Sequence, residues 1–402
     1  MRITLLFLVA ILFTSCSTSL SVGPNLEKTR KPRPQSAAEF VHAATEYMKE
    51  ARRTGNFALN EKAAEQVERA LELSPTDITA RKLEASLHLA HHRFAEAITA
   101  AEKLRIEVPS DSYIYGILAD AYVEIGDYEK AVTTAQKMVD LKPGTAAYSR
   151  VAQLRTLYGD HRGAVEMFEK AARAADPNDK ETQSWCLVQL GDEYWKVGKF
   201  LEAEKIYDEA LQNLPGYFLA LVSKGRVRAS LGDLASAEQL LTDVQSDLPN
   251  ANSILFLGDI YTLRGETEKA VRQYEQFDAI QVKLGTAADH RRLVLSWADR
   301  GKVDQALDVA KTEYAAEKSI HSADLMAWSL YRAGRSDEAT AYIQEAMRLN
   351  TIDARLLFHA GMIAKANGHR AEAKRLLTRA LKENPAFDLV RANEARVALA
   401  SL

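Results

Sequence analysis

The stretch GDYEKAVTTAQKMVDLKP, residues 126–143, returns three times along the chain in altered spelling. It appears as GKFLEAEKIYDEALQNLP (198–215), GDLASAEQLLTDVQSDLP (232–249) and GHRAEAKRLLTRALKENP (368–385). In every copy Ala follows Gly by five residues and Pro follows it by seventeen. Gly159/Ala164, Gly265/Ala270, Gly301/Ala306 and Gly334/Ala339 keep the first two anchors without the Pro, while His92 and Ala58 replace the Gly ahead of Ala97/Pro109 and Ala63/Pro75. Successive anchors lie mostly 33 or 34 residues apart, with 39 between Gly159 and Gly198 and 36 between Gly265 and Gly301. A period of this kind signals a repeat architecture.

The residues before each Gly show what one unit is. YGILADAYVEIG (115–126), LVQLGDEYWKVG (187–198) and ILFLGDIYTLRG (254–265) place apolar or small residues three, four and seven apart, the period of an amphipathic helix. Gly takes the left-handed conformation that closes such a helix. Asp127, Asp160 and Asp233 follow at once and suit the cap of the next helix. The Pro stops that second helix. Ala119, Gly191, Gly258, Ala131 and Ala203 sit where two helices must approach to about 8–10 Å. Each unit is a helix-turn-helix that hides its apolar face only by stacking on its neighbours, so the expected fold is an all-α solenoid.

This layout resembles the tetratricopeptide repeat from about residue 40 to 385. The signature is met by Tyr115, Leu118, Ala119, Tyr122, Gly126 and Ala131. It is met again by Leu187, Leu190, Gly191, Tyr194, Gly198, Ala203, Tyr207, Ala210 and Pro215. The expected organisation is a superhelical solenoid of nine or ten repeats over residues 38–385, with a capping helix at 386–402. The first copy, around 44–75, fits the pattern poorly in its first helix.

The N-terminus reads as a targeting segment. Met1-Arg2, the apolar run ITLLFLVAILF (3–13) and then Thr14-Ser15-Cys16 follow a signal-peptide layout, and the run is shorter than the roughly 20 residues that span a bilayer. It resembles a bacterial lipoprotein signal (1–15), which implies a lipid of the palmitate type on Cys16; Phe13 stands where that motif usually has Leu. The other reading is an ordinary cleaved signal with a chance cysteine. Residues 16–37, polar and holding Pro24, Pro32 and Pro34, read as a flexible tether. With Ser17 after the cysteine, the resemblance implies an outer-membrane lipoprotein facing the periplasm.

Charge and motifs narrow the function classes. The 52 Lys and Arg against 55 Asp and Glu give no basic excess for a general nucleic-acid binder. Two cysteines, Cys16 and Cys186, make no disulfide framework, and Cys186 has no adjacent His to activate it. His88 and His92, four apart, have a metal-compatible spacing, but the repeat register puts one at a core position and the other in a turn. Neither a cofactor nor a metal is expected. No phosphate loop, nucleophile elbow or zinc-protease motif is present.

The resemblance implies that first helices line a concave groove holding a peptide or protein segment. Its lining positions fall on Tyr113, Asp120, Glu124, Gln153, Trp185, Asp192, Trp195, Arg226, Asn252, Asp259, Arg291, Asp324, Trp328, Tyr331 and Arg332. Trp, Tyr and Arg dominate binding hot spots. Trp297 falls instead at a core position. Lys82 occupies a position at which some relatives clamp a terminal carboxylate, but Ser86 replaces its partner. The expected function is a non-catalytic, lipid-anchored adaptor or scaffold binding a protein partner. The alternative is an enzyme or small-ligand binder using the groove or the long-spaced segment ADPNDKETQ, residues 175–183.

Overall fold

A computed structural model describes residues 36–247, 250–284 and 290–402. The signal segment, Cys16 and nearly all of the tether lie outside the described residues. Those described form α-helices without strands, in ten consecutive pairs followed by one closing helix. The pairs are α1 (Ala37–Thr54) with α2 (Leu59–Leu73), α3 (Ile78–Ala90) with α4 (Phe94–Glu107), α5 (Ser112–Glu124) with α6 (Tyr128–Leu141), and α7 (Thr145–Leu157) with α8 (His161–Ala174). They continue with α9 (Lys180–Lys196) and α10 (Phe200–Asn213), α11 (Phe218–Ser230) and α12 (Leu234–Asp247), and α13 (Ala251–Leu263) and α14 (Thr267–Leu284). The last are α15 (His290–Asp299) with α16 (Val303–Ala316), α17 (Ile320–Arg332) with α18 (Ser336–Ala346), and α19 (Ala354–Ala366) with α20 (Arg370–Glu383); α21 (Arg391–Ala400) closes the array.

The anchors act as their chemistry requires. Gly126, Gly159 and Gly198 have φ of 80°, 76° and 72°. Asp127, Asp160 and Asp233 each accept a hydrogen bond from a backbone N–H three residues on. His92 bears the left-handed conformation itself, with φ of 55°. Ala58 does not replace the glycine of the first turn; Gly55, three residues earlier, closes α1 at φ 76°. Its shift explains why the first copy looks poor in sequence: α1 runs to 18 residues from a capping box on Ser36 and Glu39.

Four of the pairs are locked by a glycine of the first helix against a large residue of the second. Gly191 lies under the ring of Tyr207, Gly258 under Tyr274, Gly225 under Leu241 and Gly361 under Leu377. A Cβ on Gly258 would stand 2.6 Å from the Tyr274 ring, nearer than any real contact. The anchor alanines Ala97, Ala131, Ala203 and Ala306 have no exposed surface.

The unusual spacings are absorbed by longer helices. Between Gly159 and Gly198 the extra residues extend α9 to 17 residues, against 13 in α5 and α7. The expected long loop at 175–183 is therefore only the short connection 175–179.

The solenoid coils back on itself. The N–H of Ile320 donates to the Tyr128 hydroxyl at 2.8 Å, the Thr351 hydroxyl donates to the Leu157 carbonyl at 2.5 Å, and the Asn384 amide donates to the Trp195 carbonyl at 2.8 Å. These partners are 189 to 194 residues apart. The turns of the third, fourth and fifth pairs thus meet the connections after α16, α18 and α20, three steps in register along one seam.

Candidate functional site: the inner face

The first helices turn a row of charges inward. Acid and base positions pair one repeat apart along this face. Arg150 of α7 grips Asp120 of α5 through two nitrogens, at 2.8 and 2.5 Å. Arg226 of α11 holds Asp192 of α9 at 2.5 Å, and Arg355 meets Asp388 at 3.0 Å. The fork geometry of arginine suits such carboxylate pairs.

The centre of the face is the set Asp192, Trp195, Tyr207 and Arg226. The Tyr207 hydroxyl donates to Asp192 at 2.6 Å, and Ser223 donates to the same oxygen at 3.2 Å. The Arg226 guanidinium lies 4.0 Å from the Trp195 ring centroid, a cation–π contact. Its Nε is buried with no hydrogen-bond partner. Trp195 in turn donates its indole N–H to Ser230 at 3.0 Å. Burial and the Asp192 carboxylate hold the Tyr207 phenol far above its ordinary range.

Further along, Asp259 accepts from Tyr274 at 2.8 Å. Burial, with the charges of Asp388 and Asp299, pushes its carboxyl up to about 7 against the opposing Tyr274 hydroxyl and Arg355. Burial, then Arg291, takes His321 down to about 3; Asp353 draws it the other way. These groups come from α13, α15, α17, α19 and the segment before α21, so charges of distant repeats face one another across the interior. Leu389 of that segment packs on the cluster built from α9 to α14, while Phe387 beside it is buried against Phe358.

The expected lining residues differ in exposure. Asp120, Trp185, Asp192, Trp195, Arg226, Asn252, Asp259, Arg291, Tyr331 and Arg332 are half-buried, while Glu124, Gln153 and Tyr113 are exposed. Tyr113 is held by a 2.8 Å hydrogen bond with Ser86 and lies beneath Lys82, which also pairs with Asp111 at 2.7 Å. Lys82 and Ser86 are thus engaged within the chain.

Two residues are corrected. Trp328 has no exposed surface, and Asp324 is 3% exposed. Nearly every side chain of α17 from Ser322 to Leu330 is buried, as expected of a helix covered on all sides. Trp328 stacks on His359 at 4.0 Å, and Asp324 accepts or shares the His359 Nδ1 proton at 2.8 Å; both belong to the core. Trp297 is partly buried against two core clusters. Cys186 is fully buried, and desolvation pushes its thiol up to about 12, which suits a packing role. His88 is half-buried in α3 and His92 is exposed in the turn.

The sequence reading missed Arg150, Asp299, His321, Arg355 and Asp388. A usable signal exists for one pair among them: Arg355 precedes Asp388 by 33 residues, one repeat, as Asp192 precedes Arg226 by 34.

Profiles of the tetratricopeptide repeat match residues 82–146, 188–252 and 354–387. The chain is similar to the TPR repeat-containing protein YpiA of Bacillus subtilis, 25% identical over 294 residues that cover 67% of this chain and 63% of that protein. It therefore spans less than two thirds of that relative's length. A 95-residue stretch, 24% of this chain, is 32% identical to the TPR repeat-containing protein MJ0940 of Methanocaldococcus jannaschii and covers 30% of it. Among solved structures, a tetratricopeptide repeat protein from Parabacteroides merdae aligns with 61% of this chain and 93% of its own, at 17% identity and a TM-score of 0.42. From these repeat matches and the paired helices, the chain is an all-helical solenoid with tetratricopeptide repeats at residues 82–146, 188–252 and 354–387.

Proposed function

We propose that this chain is a non-catalytic adaptor, attached to the envelope of a bacterium by lipid on Cys16, which holds a segment of a partner protein against its inner face. Tetratricopeptide-repeat proteins generally mediate protein–protein interactions, and the Trp185, Trp195 and Arg226 patch supplies the residue types that dominate such contacts. The single observation that carries the reading is the Trp195–Arg226 pair: both side chains are half-buried, with the guanidinium stacked 4.0 Å from the ring centroid. The lipid and an outer-membrane, periplasm-facing location follow from the leader sequence.

The test is a crosslinked pull-down from native membranes. It compares the wild type with a Trp185→Ala/Trp195→Ala/Arg226→Glu variant shown by circular dichroism to remain helical. One envelope protein captured by the wild type and lost by the variant supports the reading; equal recovery overturns it. Lipid attachment is checked separately by labelling with a palmitate analogue, which Cys16→Ser must abolish.

A further inference from the structure

The seam between successive turns carries titratable groups at two of its three steps. At the middle step His161, the first residue of α8, bridges two acceptors. Its Nδ1 lies 3.0 Å from Glu193 Oε2 and its Nε2 lies 2.8 Å from the Ile352 carbonyl oxygen. A neutral imidazole has one N–H and can donate to only one of them, whereas the imidazolium donates to both. Glu193 is 1% exposed and also holds Lys196, so an uncharged His161 would leave either a buried carboxylate short of a donor or the Ile352 carbonyl unpaired.

At the first step Glu317, which follows α16, is gathered with other carboxylates. Glu313 from its own helix and Glu124 from α5, across the seam, both disfavour its charge, and His290 at the start of α15 favours it. Lys318 and Ser319, its chain neighbours, supply the backbone that rests on Gly126, and Arg348 donates to the Lys318 carbonyl at 2.5 Å. An ionised Glu317 therefore repels Glu124 where the two turns meet.

We propose that this seam is a pH-responsive latch, closed while His161 and Glu317 carry protons and loosened as they lose them. The two titrations act in the same sense. His161 is held above its ordinary range: the Glu193 and Ile352 hydrogen bonds outweigh desolvation, with Lys196 opposing them. Desolvation, then Glu313 and Glu124, pushes Glu317 up to about 8. A group whose folded pKa is raised adds stability below its unfolded value and loses it as pH climbs through the folded one. Asp160, beside His161, and Asp353, next to Ile352, are both held below their ordinary values and stay charged through this window. The Glu317 contribution is lost progressively between about pH 4.5 and 8, and that of His161 begins to fall above about pH 6.5. The latch goes beyond the adaptor reading, and only its consequence, an inner face made more accessible as the turns part, rests on it.

The turn glycines supply an independent handle. A Cβ on Gly159 would meet the Asn350 carbonyl oxygen at 2.9 Å, whereas Gly265, with nearly the same φ, has nothing within 4 Å. Asn tolerates φ above zero, so Gly159→Asn wedges the seam and Gly265→Asn does not.

The experiment is hydrogen exchange on the full-length protein at pH 6 to 9, corrected for the intrinsic pH dependence of amide exchange. It needs no partner, so its failure is distinct from failure of the adaptor reading. Peptides covering 318–330 and 351–358 report the seam, and 234–246 in α12 serves as the internal control. Seam exchange in the wild type is expected to rise about tenfold for each pK unit of coupling, while α12 stays level. Glu317→Gln, which mimics the protonated acid, is expected to flatten part of the slope, and His161→Gln with Glu317→Gln all of it. Gly159→Asn should show fast seam exchange at every pH. A level wild-type profile overturns the proposal, as does a double variant that keeps the wild-type slope. Should His161→Gln fail to fold, Glu317→Gln alone decides: an unchanged slope overturns the latch.

Discussion

The ring of Tyr207 lies directly on Gly191, sixteen residues earlier, so that a Cβ at Gly191 would enter the space of the ring. The same pairing returns at Gly258 and Tyr274, and in both repeats the tyrosine hydroxyl reaches the Asp that follows the glycine. One dipeptide therefore sets both the closeness of a helix pair and the chemistry of the inner face.

Gly191→Ala tests the packing half of that statement. In a helix this change normally gains about 1 kcal/mol of propensity. Overpacking against the buried ring costs about 1 to 3 kcal/mol, so the net effect is destabilising. Gly116→Ala is the milder comparison, because its Cβ would meet the Arg150 guanidinium at 3.1 Å, against 2.4 Å to the Tyr207 ring at Gly191. Urea unfolding should show a distinctly larger fall in midpoint for the first than for the second.

Trp328→Ala and Trp195→Ala separate core from lining. Trp328 is wholly buried between Tyr331, Phe358 and His359, and its removal should cost about 3 to 5 kcal/mol. Trp195 is half-buried and keeps one face for Arg226, so its loss should lower the unfolding midpoint clearly less. Equal losses would place Trp195 in the core as well.

Local chemistry explains what could be read in advance. Gly126 with Asp127 is a turn and a cap within two residues, and Ala131 is small because a helix must approach it; both facts are written in adjacent sequence. The contact of His161 with Ile352 is not. It depends on how a small rotation per repeat accumulates over some 190 residues, and no short stretch encodes that sum. Trp328 failed for a related reason. Its register, six residues before the turn glycine, matches that of Asp192, but α17 is covered on all sides whereas α9 is not. Transferring a position between repeats assumes equal surroundings, and coiling the array onto itself makes them unequal.

Gly126→Ala and Gly334→Ala compare two glycines of like conformation. Their φ values are 80° and 74°, so each alanine bears the left-handed penalty of roughly 1–2 kcal/mol. Only Gly126 faces backbone across the seam, at Lys318 and Ser319; Gly334 has nothing within 4 Å. The Gly126 variant should therefore lose distinctly more stability, and the difference between the two midpoints measures the seam contact itself. Identical losses would mean that the turns touch without stabilising each other.

Asp259→Asn carries the last prediction, on the pH dependence of the inner face. The Asp259 carboxyl, raised to about 7 by burial and by Asp388 and Asp299, binds a proton more readily folded than unfolded. Its contribution is fully present below about pH 4 and is lost as pH rises through 7. Asparagine cannot ionise, yet its carbonyl still accepts from the Tyr274 hydroxyl, which donates to Asp259 at 2.8 Å. The variant should match the wild type near pH 4 and exceed it in thermal stability at pH 8. Arg355→Met should do the reverse at pH 8, since it removes the cation that pairs with Asp388 and opposes the rise at Asp259. If Asp259→Asn instead weakens the protein at pH 8, the carboxylate is a net stabilising charge there, and the crowding of Asp259 by Asp388 and Asp299 across the interior is not a feature of the folded chain in solution.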